Sequence, residues 1–168
     1  MYAVLVRQTT KGNAMTLSLL ATAELAEAKL HHILSHPTNP DDQFKLESSR
    51  LYGVTITNDE AKLTHLSSHD DVYDLLKKAD RKVAKSYEFT AVVTTGWAAP
   101  LPKDFDAEVG LDTPPSQHPE KRRVRLVVVA TRKDVVSVLR FADEPDDIVT
   151  DEGGATGSLN DAIRNFMR

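Results

Sequence analysis

No cysteine occurs in the 168 residues of the chain. That absence excludes disulfides, thiolate metal ligands and a thiol nucleophile, and with them the disulfide-stapled scaffolds of small secreted proteins. The expected compartment is the reducing cytoplasm. A signal-peptide pattern is also missing, since MYAVLVRQTTKG has neither the basic start nor the apolar run and small-residue cleavage site that export needs. Long apolar runs are absent as well. The longest uncharged stretch, 12–23, is broken by Asn13, Thr16, Ser18 and Thr22 and falls short of the roughly 20 apolar residues that cross a bilayer, so no membrane is expected as a partner. Positive charge is not in excess. A formal net charge of −4 gives no general attraction to nucleic acid or to acidic lipid, and an anionic partner would have to be met by a local patch. Internal repeats and low-complexity tracts are lacking too.

What is present is apolar content of 40% over 168 residues, enough to close one globular domain spanning 1–168. Its centre is the stretch RRVRLVVVATRKDVVSVLRFA, residues 122–142. Val124, Leu126, Val128 and Ala130 alternate with Arg123, Arg125, Val127 and Val129, and the chain returns through Val135, Val136, Val138, Leu139 and Phe141. This is the pattern of two strands, 122–131 and 135–142, joined by a tight turn. A further strand is expected at 87–97, with Phe89, Ala91, Val93, Thr95 and Trp97 on one side. Trp97, the single tryptophan, is expected to anchor the core against the hairpin. Residues 51–57, LYGVTIT, add a strand in which Gly53 marks a bulge or a close approach. Residues 1–7 form either a short strand or a lead-in to a start at Met15.

Helices are expected at 16–35, stopped by Pro37, at 69–85, opened by Ser68 and Asp71 in capping-box spacing, and at 159–167, opened by Ser158 and Asp161. Together these elements predict an α+β domain, a mostly antiparallel sheet of three to five strands packed against two or three helices. Residues 98–121 carry five prolines and no periodicity, which predicts a long loop, either a mobile insertion or a lid.

Residues that could carry chemistry are few. His32 and His36, one turn apart with His31 beside them, have a spacing that can hold a metal, but no HExxH glutamate or third ligand accompanies them. Histidines in a last helical turn also sit well against the dipole. The acids Asp143, Glu144, Asp146, Asp147, Asp151 and Glu152 lack the alternation of an EF-hand loop. Gly153, Gly154 and Gly157 precede a helix, yet those carboxylates and the missing lysine oppose a phosphate cradle. Ser116 and His118 stand between prolines with no orienting acid, and GxSxG is absent. No catalytic residue, metal or cofactor is therefore expected. Charge is uncompensated in one place: Lys121, Arg122, Arg123, Arg125, Arg132, Lys133 and Arg140 face only Asp134 over 121–140. Arg123, Arg125, Arg132 and Arg140, with Trp97, are the candidate binding residues. Either these arginines pair with the acids of 98–121 and 143–152, or they meet an acidic protein surface, which the net charge favours over nucleic acid.

Two resemblances follow. TTGWAAPL (94–101), PPSQHPEKRRVRLVVVAT (114–131) and DEGGATGSLNDAI (151–163) resemble blocks of an uncharacterised actinobacterial protein family that carries no assigned activity. The order of helix, VVTTGW, a loop with Pro115-Ser116 and two strands is similar to the core of JAB/MPN domains. That family's metal motif is HxHP followed by serine and aspartate, and its place is taken here by Ala98, Ala99 and Pro100. The resemblance thus implies a binding scaffold, because a site without both imidazoles has lost two zinc ligands. The expected function is a non-catalytic cytoplasmic binding or regulatory module that meets an acidic partner at the basic hairpin edge. The alternative is a small hydrolase-like enzyme with its site assembled under 98–121. The sequence leaves ligand identity and oligomeric state open.

Overall fold

Residues 122–142 form a hairpin, and a sheet of seven strands is built outward from it. The computed structural model describes residues 2–6, 14–38, 42–106, 109–152 and 158–168. In chain order the elements are β1 (Tyr2–Val6), α1 (Ala14–Leu34), β2 (Ser49–Thr57), β3 (Glu60–His69), α2 (Val72–Lys78), α3 (Arg81–Lys85), β4 (Phe89–Pro100), a 3-10 turn (Pro115–Gln117), β5 (Arg122–Ala130), β6 (Val135–Phe141), β7 (Glu144–Glu152) and α4 (Ser158–Met167). Six strands run antiparallel in the order β3-β2-β4-β5-β6-β7, and β1 pairs with β4 in parallel. The α+β class is as expected, but the sheet exceeds the predicted three to five strands and the helices number four among the described residues.

Helices cover both faces. On one, Leu19, Leu20, Ala23, Ala26 and Leu30 of α1 pack on Tyr52, Val54, Ala91, Val93, Val127, Val129, Val136 and Val138. On the other, Val72, Leu75 and Leu76 of α2 and Ile163, Phe166 and Met167 of α4 pack on Leu51, Val92, Val124, Leu126, Val128 and Leu139. A strand buried on both faces reads as a continuous apolar run, which is why β5 ends in Leu126-Val127-Val128-Val129-Ala130 with no polar alternation.

The two strands that the sequence did not predict have physical causes. β3 returns from β2 through Asn58 and Asp59, whose φ angles of 52° and 59° are both left-handed. With Thr57 opposite Glu60, this is a two-residue type I′ hairpin. β7 holds Pro145 and several acids, poor strand formers that are tolerated because it lies at the sheet edge. Its ladder jumps from Phe141↔Glu144 to Arg140↔Ile148, so residues 145–147 bulge out.

The helix expected over 69–85 is two helices. Asp71, not Ser68, caps α2, accepting from the N–H groups of Tyr73 and Asp74 at 2.9 Å each, while Ser68 stays in the β3 ladder opposite Arg50. Ala79 is extended (φ −66°, ψ 147°) and Asp80 starts α3 by accepting from Lys82 and Val83. Arg81 then donates to the carbonyls of Phe166 (3.0 Å) and Asn165 (2.6 Å), tying α3 to the end of α4. Gly53 is a close approach, as expected: a Cβ there would sit 2.6 Å from ring atoms of Tyr87. The glycine turn at 153–157 and the phosphate reading attached to it lie outside the described residues.

Candidate functional site

Arg125 and Arg140 stand directly opposite each other on β5 and β6, two like charges on the face covered by α1. Such a cross-strand pair is destabilising unless a counter-charge comes between. The counter-charge is Glu27, on the stripe of α1 that also carries Leu20, Ala23, Leu30 and Leu34. Its Oε1 accepts from Arg125 Nη2 at 2.8 Å and from Arg140 Nε at 2.7 Å, and its Oε2 from Arg140 Nη2 at 2.6 Å. All three are buried, with Arg125 0%, Glu27 1% and Arg140 7% exposed. Arg140 also donates to the Pro145 carbonyl, which organises the β7 bulge around its head group. Arg125 reaches the Gln43 carbonyl at 3.4 Å and lies over the Phe44 ring at 5.4 Å.

Electrostatics follow from this packing. Burial pushes the Glu27 carboxyl pKa up, but the hydrogen bonds from Arg140 and Arg125 and their charges outweigh it, leaving the pKa below the ordinary 4.5. His31 Nδ1 lies 2.9 Å from Arg125 Nη2. A guanidinium can only donate, so this nitrogen accepts and carries no proton. Burial, then the charges of Arg140 and Arg125, hold the His31 pKa below 6.5, against smaller pulls from Glu27 and Asp146. Desolvation likewise lowers the pKa of Arg125.

The expected basic edge is thereby divided. Arg125 and Arg140 are withdrawn into the core and paired with an acid from neither predicted stretch. Arg122 does pair with the acids after the hairpin, meeting Asp143 at 2.6 Å and Glu144 at 3.3 Å. Arg132, at the β5–β6 turn, is exposed and donates to the Lys85 carbonyl at 3.4 Å. Arg123 stands opposite Trp97 in the β4–β5 ladder, with its guanidinium 4.7 Å from the indole centroid. Lys121 lies 4.8 Å from the same ring. Trp97 is therefore partly buried beneath two cations and is not sealed in the apolar core as expected, because its cross-strand neighbour is an arginine. Neither Arg123 nor Lys121 has a carboxylate partner among the described residues, and Arg123 Nε is buried with no hydrogen-bond partner among them.

His32 and His36 do not form a pair. α1 ends at Leu34, both imidazoles are exposed, and His36 bonds Thr38 at 2.7 Å. Their neighbour His31 is the histidine that turns inward. Among the described residues no group of three metal-ligating side chains gathers. Of the stretch expected as a loop, 98–100 belong to β4 and 115–117 form the 3-10 turn. A cleft of about 450 Å³ lies beneath it, lined in part by Phe105, Val109, Asp112 and His118. His118 Nδ1 accepts from the Glu120 N–H at 3.0 Å. Glu27 is the residue that sequence reasoning missed, although an acid inside an apolar helical stripe was a visible signal for it. The chain matches no protein-family model, no curated protein and no solved structure.

Proposed function

We propose that this protein is a non-catalytic binding module that takes an acidic protein surface at the Trp97 end of the β4–β5 ladder. One observation carries the reading. Of the hairpin arginines, Arg122, Arg125 and Arg140 are matched to acids, whereas Arg123 and, beside it, Lys121 are stacked on an aromatic face and form no ion pair with an acid among the described residues. Cations held on an indole are pre-positioned for an incoming carboxylate, which lowers the ordering cost of binding. The JAB/MPN-like order of segments without that family's histidines fits a scaffold role, and a cysteine-free composition fits the cytoplasm. No described helix is long and apolar enough to cross a membrane.

Titration with poly-glutamate, followed through Trp97 fluorescence, tests the reading. The double reversal Arg123→Glu with Lys121→Glu is expected to weaken binding by about tenfold or more with an unchanged melting temperature. Equal binding by the reversed protein would sink it. The 450 Å³ cleft favours a second reading, a hydrolase-like site under 101–121, which requires ester hydrolysis that His118→Ala abolishes.

A further inference from the structure

β4 changes partners along its length. Its first half pairs with β2 as far as Arg50↔Val93, and its second half pairs with β1 from Tyr2↔Gly96, so Thr94 and Thr95 fall between the two registers. A pocket of about 200 Å³ opens at this seam, lined by Lys45, Ser49, Asp70, Thr94, Thr95 and Arg123 among others.

Arg123 and Thr95 share the α1 face of the sheet there. Arg123 brings a cation whose Nε is buried and without a partner among the described residues, an arrangement that costs free energy unless a ligand or water comes to it. Ser49 and Thr94, 4% and 3% exposed, bond each other at 2.8 Å. Thr94 lies opposite Leu126 in the β4–β5 ladder, so this pair closes the seam from the α2 and α4 side and leaves the α1 side to Arg123 and Thr95. Thr95 adds a hydroxyl and Lys45 a second cation. Against them stands one carboxylate, Asp70, which is exposed and takes the Ser48 hydroxyl at 3.2 Å.

We propose that the seam is a binding site for one compact oxoanion, a carboxylate or phosphate group, held by Arg123 and Lys45 and oriented by Thr95. This deepens the proposed function and rests on it, since Arg123 is common to both. The oxoanion is either an acidic side chain of the partner, inserted as a single group, or the anionic group of a free small molecule. Both sources share the same chemistry of charge-assisted bonds to guanidinium and hydroxyl.

Trp97 is the single tryptophan and lies 4.7 Å from the Arg123 guanidinium, so its fluorescence reports the site without a label. The full chain is titrated separately with acetate and with inorganic phosphate at constant ionic strength, and the Arg123 Nε–H resonance is followed by NMR. A saturable response to acetate assigns a carboxylate socket, and one to phosphate a phosphate site. In either case the affinity falls about tenfold in Arg123→Gln and in Thr95→Val, and holds in Lys133→Gln at the far turn of the hairpin. Absence of a saturable response to both anions, or an undiminished response in Arg123→Gln and Thr95→Val, overturns the site. If a small anion binds but poly-glutamate does not, the partner reading fails and the pocket stands. If poly-glutamate binds with no small-anion response, the pocket fails and the partner reading stands.

Discussion

Glu27 neutralises one of two guanidinium groups, so the core beneath α1 retains one net positive charge. Removing the carboxylate leaves two buried arginines facing each other, and losing one partner of a buried ion pair costs about 3–5 kcal/mol. Glu27→Leu should therefore lower stability by about that amount in urea unfolding. The triple change Glu27→Leu, Arg125→Met, Arg140→Met should recover most of the loss, because an apolar replacement of a whole buried cluster is often neutral or better. Recovery confined to a small fraction would mean that the cluster specifies the α1 packing. The same residues set the response to acid. His31 is held below 6.5 by burial and by the Arg140 and Arg125 charges, so the folded state binds fewer protons than the unfolded state and stability falls as pH drops below 6.5. Glu27, depressed below 4.5, adds stability that is present above that value and is lost as pH falls through its lower folded pKa. His31→Asn should flatten the upper part of the decline, seen as a smaller drop in melting temperature between neutral pH and pH about 5. An unaltered decline would place the sensitivity elsewhere.

At the scale of elements, the strands that bury apolar side chains on both faces could be read directly, since Val127, Val128 and Val129 have no other use. The strands whose order comes from their neighbours could not. β7 exists because β6 offers a ladder and Arg140 fixes the Pro145 carbonyl, and neither cause is written in EPDDIVTDE. The break in the 69–85 helix was legible in principle, because Asp80 before Arg81-Lys82-Val83 is itself an N-cap, but the apolar period running on to Val83 hid it. Of the candidate site, the arginine-rich hairpin and Trp97 were visible, while the division of those arginines between core and surface depended on an acid 98 residues from Arg125 in sequence. The β2–β3 turn offers an element-scale test. Asp59 holds a φ of 59° at the second central position of a type I′ turn, where glycine avoids a cost of roughly 1 kcal/mol. Asp59→Gly should raise the stability by up to about 1 kcal/mol, measured as a higher urea midpoint at constant slope.

Across the whole molecule, β4, β5 and β6 contribute side chains to both cores, the one under α1 and the one under α2 and α4. Neither core can open without exposing the backs of the same strands. Unfolding followed by Trp97 fluorescence, on the α1 face, should coincide with unfolding followed by far-UV circular dichroism, and separated midpoints would show that the layers part independently. The outermost strands are marked by charge, with Glu60 and Lys62 on β3 and Glu144, Asp146 and Asp147 on β7, a composition that discourages strand exchange between copies. The parallel pairing of β1 has a bearing on how the protein is made. Tyr2 finds its partner at Gly96, so during synthesis the first strand leaves the ribosome long before the strand that receives it. At ordinary elongation speed the apolar segment Ala3-Val4-Leu5-Val6 waits roughly 5–20 s with no edge to join. The nascent chain must keep that segment from mispairing until β4 emerges.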